Sequence, residues 1–427
     1  MTRLIFWLAS ALLAATYVGF PAIALLRGRL YRRGVASAPI TPFVSVVIAA
    51  HNEERVIGER LANLLEQDYP ADRMEVIVVS DGCTDGTVRI VSSYFDRGVR
   101  LMDPGRIGKG EALGLGVRAA RGDVIVFSDA NSMFERSAIS ALVRPLADES
   151  VGGVAGNQVY LEEGEHDAAA VGERGYWDFD RLLKRTQSMS GSITNATGAI
   201  YAIRREHFRP IPDGVTDDMF NSMSVIDAGA RMVFAEDAIA YEAISPTARL
   251  EFGRKVRIMT RSFRCIIYMR RLLDPRRTGW YALQLLWHKI MLRTTVLPLI
   301  ALAVISPTLW ARGPIYRLAT VGQAVCYALA VAGIATARSP LGRKAPLAIP
   351  AYFTLVNLAS LRALLNLVRN ERIDRWVPNR AVQPAEPPVR LLRSHGTDGA
   401  ADTFAGDDDD AALAGGEPCD DREDADE

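Results

Sequence analysis

Three short polar clusters stand out as groups of side chains able to make a binding site: His51-Asn52-Glu53-Glu54, Ser80-Asp81-Gly82 and Ser128-Asp129-Ala130-Asn131. Each comes directly after an apolar run. A lone carboxylate in such a place is most often a helix cap, accepting hydrogen bonds from the first backbone N–H groups of the helix. Three together, with two glycine-bearing turns, are hard to explain by capping alone. Open α/β sheets bind ligands beyond the carboxyl ends of their strands, so all three clusters can meet at one rim.

The elements that must carry these clusters are legible from hydrophobic patterning. Residues 44–50 (VSVVIAA), 75–80 (EVIVVS) and 123–128 (DVIVFS) are short β-branched runs, the pattern of strands buried on both faces. Helical stretches are expected between them at 53–67, 84–95 and 108–120. Alternating strands and helices give an α/β domain, with a mostly parallel sheet built from right-handed βαβ units. Asp81, Thr84 and Asp85 fall where a helix should begin, so capping is part of what they do.

The chain has 427 residues, with Lys+Arg and Asp+Glu equal at 50 each, which gives no electrostatic reason to expect a nucleic-acid partner. Four scattered cysteines without a CxxC pair argue against a disulfide framework or structural zinc. Residues 4–26 are an almost unbroken apolar run, long enough to cross a hydrocarbon core of roughly 30 Å. No small-residue cleavage site precedes the basic cluster Arg27, Arg29, Arg32 and Arg33, so an anchor over residues 1–33 is expected rather than a signal peptide. The positive-inside rule then puts the basic cluster and the α/β domain in the cytoplasm and makes the chain a multi-pass protein of the cell membrane. Residues 294–310 and 315–336 read as further spans. Residues 347–368 are apolar but contain Arg362 and are succeeded by more arginines, which favours a half-inserted or interfacial helix over a full span. Beyond residue 377 the composition becomes Pro-rich and then acidic, as in a disordered tail.

The segments VSVVIAAHNEE, VIVVSDGCTDGT, GRIGKGEALGLGVRAARGDVIVFSDAN, ITNATGAIYAIRRE and VTDDMF, in that order, resemble the family 2 glycosyltransferases. That is the inverting group with the GT-A fold, including cellulose, chitin and hyaluronan synthases. The resemblance covers roughly residues 42–260 and implies a catalytic domain over 42–250. It also implies a nucleotide-sugar donor, a UDP-sugar by the residues present, and a glycan or lipid-linked acceptor. Ala50, Asn52 and Glu53 then lie against the nucleotide, and Asp81 resembles the aspartate that accepts the uracil imide N–H. Lys109 resembles the basic position near the diphosphate, where a flexible point charge suits phosphate oxygens; a solvated helix-start lysine is the plain alternative. Asp129-Ala130-Asn131 stands where the family has Asp-x-Asp, two oxygen ligands for one Mg2+ or Mn2+. Asn131 supplies one negative charge fewer, and support behind the ligands is its other reading. Asp218 aligns with the general base of a Thr-Glu-Asp motif and Asp217 with the glutamate before it. Adjacent carboxylates raise one pKa, which suits a base working near neutrality. An acidic helix start capped by Thr216 accounts for the same residues and is compatible with that role. Asn195 and Gly198 match the region that shapes the acceptor site.

One departure matters. Processive synthases carry Gln-x-x-Arg-Trp where this chain has Arg254-Lys255-Val256-Arg257-Ile258. Arg257 is retained and could pair with the diphosphate, but Ile258 offers no stacking platform for an acceptor sugar. The basic run also fits an amphipathic segment over 251–290 lying against anionic lipid headgroups, with residues 291–376 completing the membrane part. The implied activity is sugar transfer in surface or extracellular polysaccharide assembly. The competing class is a non-catalytic membrane sensor or subunit that keeps the nucleotide-sugar fold.

Overall fold

A computed structural model of the chain describes residues 1–161, 168–243, 248–337 and 339–371, so the expected tail over 377–427 lies outside them. The N-terminal apolar run forms a 29-residue helix, α1 (Thr2–Leu30). Pro21 lacks an N–H and its ring would press on the carbonyl four residues back. The wide π turn Ala15–Gly19 just before it takes up that mismatch.

The three strand expectations hold, as β1 (Val44–Ala50), β2 (Met74–Ser80) and β4 (Val124–Phe127). The helices between them are shorter than the sequence suggests: α2 (Ile57–Leu65), α3 (Thr87–Ser92) and α4 (Lys109–Ala119). The polar clusters are spent on turns first. Asn52 has φ +55° and its Oδ1 accepts from Thr84 N–H at 2.8 Å, which delays the helix start. With β3 (Val99–Met102), β5 (Met133–Phe134), β6 (Val151–Leu161), β7 (Tyr201–Arg204) and β8 (Arg231–Ala243) the sheet has, among the described residues, eight strands in the order β3-β2-β1-β4-β7-β6-β8-β5. Only β7 and β5 pair antiparallel to their neighbours, so the sheet is mostly parallel.

Both faces of the sheet are covered. Val44, Val46 and Ile48 pack with Ile57, Leu61 and Leu64 of α2 and Val91 of α3 on one side. That core also takes in α5 (Ala138–Val143). Val47, Ala49, Ile77 and Val79 pack with Leu113 and Val117 of α4 on the other side, together with Met219 and Phe220 of α7 (Asp217–Asp227). The strand order turns back at β1, whose neighbours are β2 on one side and β4 on the other. That reversal opens the crevice in which α/β sheets hold ligands.

Helix α6 (Ala168–Ser190) and helix α8 (Ala248–Tyr268) join this domain to the apolar helices. Leu183 of α6 packs with Phe20 and Ala24 of α1. Val256, Met259 and Phe263 of α8 pack with Ala359 and Ala363 of α12 (Ala345–Val368). Four of the basic side chains of α8 are engaged within the protein: Arg254 and Lys255 pair with Glu251, Arg261 donates to Val215 O, and Arg264 donates to Glu371 O.

By length and hydropathy α1, α11 (Pro314–Ala335) and α12 can each cross a membrane. At about 1.5 Å per residue, α10 (Val296–Thr308) is too short to cross alone. It joins α9 (Trp280–Thr294) at a 46° bend, and the pair together would make a fourth span. Arg362, costly at bilayer depth, pairs with Glu371 Oε2 at 3.3 Å just past the end of α12.

Candidate active site

Each rim residue is placed by the end of a strand or the start of a helix. Ala50 ends β1 and is fully buried; its carbonyl accepts from Asp81 N–H at 2.8 Å. Asp81, directly after β2, is also fully buried, and its Oδ1 accepts from Ile107 N–H at 2.8 Å and Gly108 N–H at 2.7 Å. Arg106 Nη1 lies 3.0 Å from Oδ2 and donates to the Asp81 carbonyl at 2.9 Å. Asp81 therefore fastens the loop that leads into α4. Gly108, at φ +91°, gives that loop a backbone conformation side-chain-bearing residues rarely adopt. Glu53 is buried and its N–H donates to Thr87 Oγ1 at 2.8 Å. His51 Nδ1 lies 2.8 Å from the Asp81 carbonyl.

The clamped loop delivers Lys109, the first residue of α4, to the far side of the rim. Its Nζ lies 2.8 Å from Asp129 Oδ1 and 3.1 Å from Asp217 Oδ2. Burial alone would lower the lysine pKa, but the Asp129 and Asp217 carboxylates outweigh it and hold it above the ordinary value. This is no solvated helix-start lysine. It ties the end of β4 to the start of α7.

Asp217 and Asp218 open α7, where the positive end of the helix dipole favours carboxylates. Thr216 occupies the capping position, but its hydroxyl makes no cap hydrogen bond and is buried without a partner. Asp218 Oδ1 accepts from Met219 N–H at 2.7 Å. Burial, and then the neighbouring Asp217 charge, push the Asp218 carboxyl up to about 6. A carboxylate so raised can hold a proton and release it near neutral pH.

Gly198 lies against the same cluster: a Cβ added there would stand 3.0 Å from Asp129 Oδ2. Asn195 turns into its own segment, donating to Ala196 O at 2.5 Å, with its Oδ1 buried and unpaired. Asn131 Nδ2 donates to Glu242 Oε1 of β8 at 2.6 Å, and Glu242 also accepts from Gln158 of β6. Glu242 carries no local sequence signal, because strand pairing alone brings it to Asn131. Arg257 of α8 faces the rim. Burial, then Arg261 and Arg254, lower its pKa, while Asp129 and Asp217 act against that.

Among the described residues no group of three or more His, Cys, Asp or Glu side chains is arranged to hold a metal ion. Asp129 and Asn131 nonetheless fit a hard divalent cation as a partial shell, a carboxylate and an amide carbonyl two residues apart. Such a cation would take its other ligands from phosphate oxygens and water.

Sequence patterning also passed over two buried polar groups. Arg60 is fully buried beneath Asp129, donating to Ser128 Oγ at 2.8 Å with its guanidinium 3.9 Å from the Phe134 ring centroid. Its signal was present, since Ile57, Arg60, Leu61 and Leu64 share the apolar stripe of α2. The second is Asp180 of α6, which pairs with Lys184 at 2.9 Å and lies 3.4 Å from His288 Nε2 and 3.8 Å from Lys289 Nζ of α9. Burial would raise its pKa, but Lys184 and Lys289 hold it well below the usual carboxylate range.

The mostly parallel sheet with carboxylates gathered at the carboxyl ends of its strands has the GT-A fold, as a solved relative shows. The structure resembles the mannosyltransferase PcManGT from Pyrobaculum calidifontis, solved in complex with GDP-Man and Mn2+. The TM-score is 0.64 at 23% sequence identity, covering 86% of this chain and 100% of that one. Residues 45–211 match Glycosyl transferase family 2, so this α/β part of the chain is a glycosyltransferase family 2 domain. The chain is 29% identical over 232 residues to "Probable glycosyltransferase YdaM" of Bacillus subtilis, covering 51% of this chain and 54% of that protein. It is 24% identical over 251 residues to an N-acetylglucosaminyltransferase of Rhizobium meliloti, covering 54% of this chain and 59% of that protein. The chain thus spans a little over half the length of these curated relatives.

Proposed function

We propose that the chain is a membrane-bound inverting glycosyltransferase that moves a sugar from a nucleotide-sugar to a glycan or lipid-linked acceptor. The observation that carries this reading is the Asp129–Lys109–Asp217 bridge beside Asp218, the carboxyl raised to about 6. A protein that only sensed nucleotide-sugars would have no use for a poised proton acceptor. In the reaction Asp218 takes the proton of the acceptor hydroxyl as that oxygen bonds to the anomeric carbon. The bond from the anomeric carbon to the diphosphate breaks, its electron pair leaving with the nucleoside diphosphate. Lys109, bridging Asp129 and Asp217, and Arg257, which feels the same two carboxylates, would offset charge on that leaving group, and Gly198 leaves room beside Asp129. A divalent cation held by Asp129 and Asn131 would neutralise charge building on the diphosphate.

Uracil recognition by Asp81 is the reading drawn from the sequence, and it requires the 106–108 loop to yield part of its hold on that carboxylate. The donor panel for testing therefore includes UDP- and GDP-sugars. The apolar helices and the cluster Arg27, Arg29, Arg32 and Arg33 support a cell-membrane protein with its catalytic domain in the cytoplasm. That placement suits surface or extracellular polysaccharide synthesis. The test is release of nucleoside diphosphate from the panel by purified full-length protein with Mn2+ or Mg2+. Release by the parent and its loss in Asp218→Asn support the reading. Equal release by both would overturn the base assignment, and no release from any donor would overturn the activity.

A further inference from the structure

Asp129 and Asn131 share one tight turn, in which Ser132 N–H donates to Asp129 O at 3.4 Å. The turn leads into β5, and the β5–β8 register sets Met133 opposite Tyr241. Glu242, the residue after Tyr241, thereby arrives beside the turn, where its Oε1 accepts from Asn131 Nδ2 at 2.6 Å. Its other oxygen accepts from Gln158 of β6. Gln158 also donates to the Tyr160 hydroxyl at 3.1 Å, and Arg254 of α8 donates to the same hydroxyl at 3.3 Å. The Glu242 carboxylate is therefore fixed from two sides, by β6 and by the turn.

An ionised carboxylate only accepts hydrogen bonds, so the Asn131 amide can present nothing but its NH2 group to Glu242. The amide is thus locked one way round. Turned over, it would set two oxygens against each other and lose a charge-assisted bond. Its carbonyl Oδ1 lies on the other branch of the amide, away from Glu242, and among the described residues no protein donor reaches it. Donation to a carboxylate also polarises the amide, which makes its oxygen a better ligand for a hard cation. Asn131 itself brings no charge to the turn. Glu242 sets a full negative charge one hydrogen bond behind it.

We propose that Glu242 is the positioning residue of the metal site, holding the Asn131 amide with its carbonyl oxygen turned to the divalent cation that Asp129 shares. It acts through Asn131 and is not a ligand itself. This rests on the transferase reading above, in which that cation serves the diphosphate of the donor.

The test reads Mn2+ binding to detergent-solubilised full-length protein, with UDP or GDP present, from the free-ion signal in electron paramagnetic resonance. The parent should bind Mn2+. Glu242→Leu should weaken that binding about ten-fold or more, the usual effect of losing a residue that orients a metal ligand. Glu242→Gln still offers Asn131 a carbonyl, so it should lose no more than about three-fold. Asn131→Leu should weaken binding at least as much as Glu242→Leu does. Adding Glu242→Leu to it should change the affinity by less than about two-fold, because no amide is left to orient. The double variant leaves neither member of the pair behind, so it carries the comparison with Asn131→Leu even where Glu242→Leu alone does not fold. The proposal is overturned if the parent binds no Mn2+, if Glu242→Leu binds it as the parent does, or if the glutamine variant is as weak as the leucine one. It is equally overturned if Glu242→Leu weakens the Asn131→Leu protein about ten-fold further, which would make Glu242 a ligand in its own right. Nucleoside diphosphate release from the donor panel is read separately. Mn2+ binding that depends on both residues, without any release, would leave the positioning role standing and the transferase reading refuted. Release undiminished by excess EDTA would do the reverse.

Discussion

The Lys109 ammonium lies 2.8 Å from Asp129 Oδ1, and the same nitrogen reaches Asp217 Oδ2 at 3.1 Å. One cation thereby bridges a carboxylate just past the end of β4 and another at the start of α7, which would otherwise repel across the rim. Its influence extends to Asp218, whose raised pKa it moderates. Lys109→Met should leave three carboxylates clustered without their counter-charge. Removing one partner of a buried pair costs roughly 3–5 kcal/mol, so a marked fall in melting temperature is expected, with donor turnover reduced on the order of 100-fold. Lys109→Arg should restore stability better than turnover, because its planar fork does not reproduce a point charge. A methionine variant as stable as the parent would remove the bridge from the account.

Asp218 gives a prediction in pH. As a base it must be ionised, so donor turnover should fall as pH drops through about 6, with an acid limb of slope one. Stability should run the other way. A carboxyl whose folded pKa is raised from 3.8 to about 6 binds more protons folded than unfolded between those values. Stability therefore declines as pH rises across that window and stays lower above it. Asp218→Asn should lower turnover by about 100-fold or more. The same variant should melt higher than the parent at pH 7 and show no such advantage at pH 4. An asparagine variant less stable than the parent at pH 7 would argue that the Asp218 charge is satisfied rather than strained.

Gly198→Ala tests the close approach at the rim. The new Cβ would stand 3.0 Å from Asp129 Oδ2, tighter than ordinary van der Waals contact, and Asp129 is the side chain that must give way. The fold should survive, since a carboxylate rather than backbone is displaced. With Asp129 as one of two oxygen donors to the proposed cation, activation by Mn2+ should then require about ten-fold more metal. A metal titration of donor turnover, compared with the parent, decides it.

The sheet and the rim were largely legible because strands buried on both faces leave an unmistakable β-branched record, and the carboxylates come directly after those strands. Asp129, Lys109 and Asp217 could be named individually, but not their bridge, which depends on how far α4 and α7 swing toward β4. Asp81 shows the limit differently: its residue type was informative, yet the partners of its carboxylate, Ile107 and Gly108 N–H, are backbone groups with no sequence signature. Glu242 was invisible for a similar reason. It stands far from Asn131 in the chain and meets it beside the β5–β8 pairing. The helix lengths were overestimated where Asn52, Thr84 and Asp85 use their side chains on turns before the helix begins.

A buried polar network joins the sheet domain to the bent helix pair. Asp180 is buried among Lys184, His288 and Lys289, and His288 Nδ1 in turn lies 3.1 Å from Gln187 Nε2 and 3.2 Å from Thr194 Oγ1. Thr194 O accepts from Tyr281 at 3.0 Å, so α6, α9 and the segment leading to Gly198 are tied through one network. Asp180→Ala leaves two buried lysines without their carboxylate, at a cost of about 3–5 kcal/mol. Replacing Asp180 and Lys184 together, with Leu and Met, removes the pair and should recover much of that loss. Melting curves of the two variants in the same detergent settle the point. If the single variant melts like the parent, the network does not hold α6 against α9.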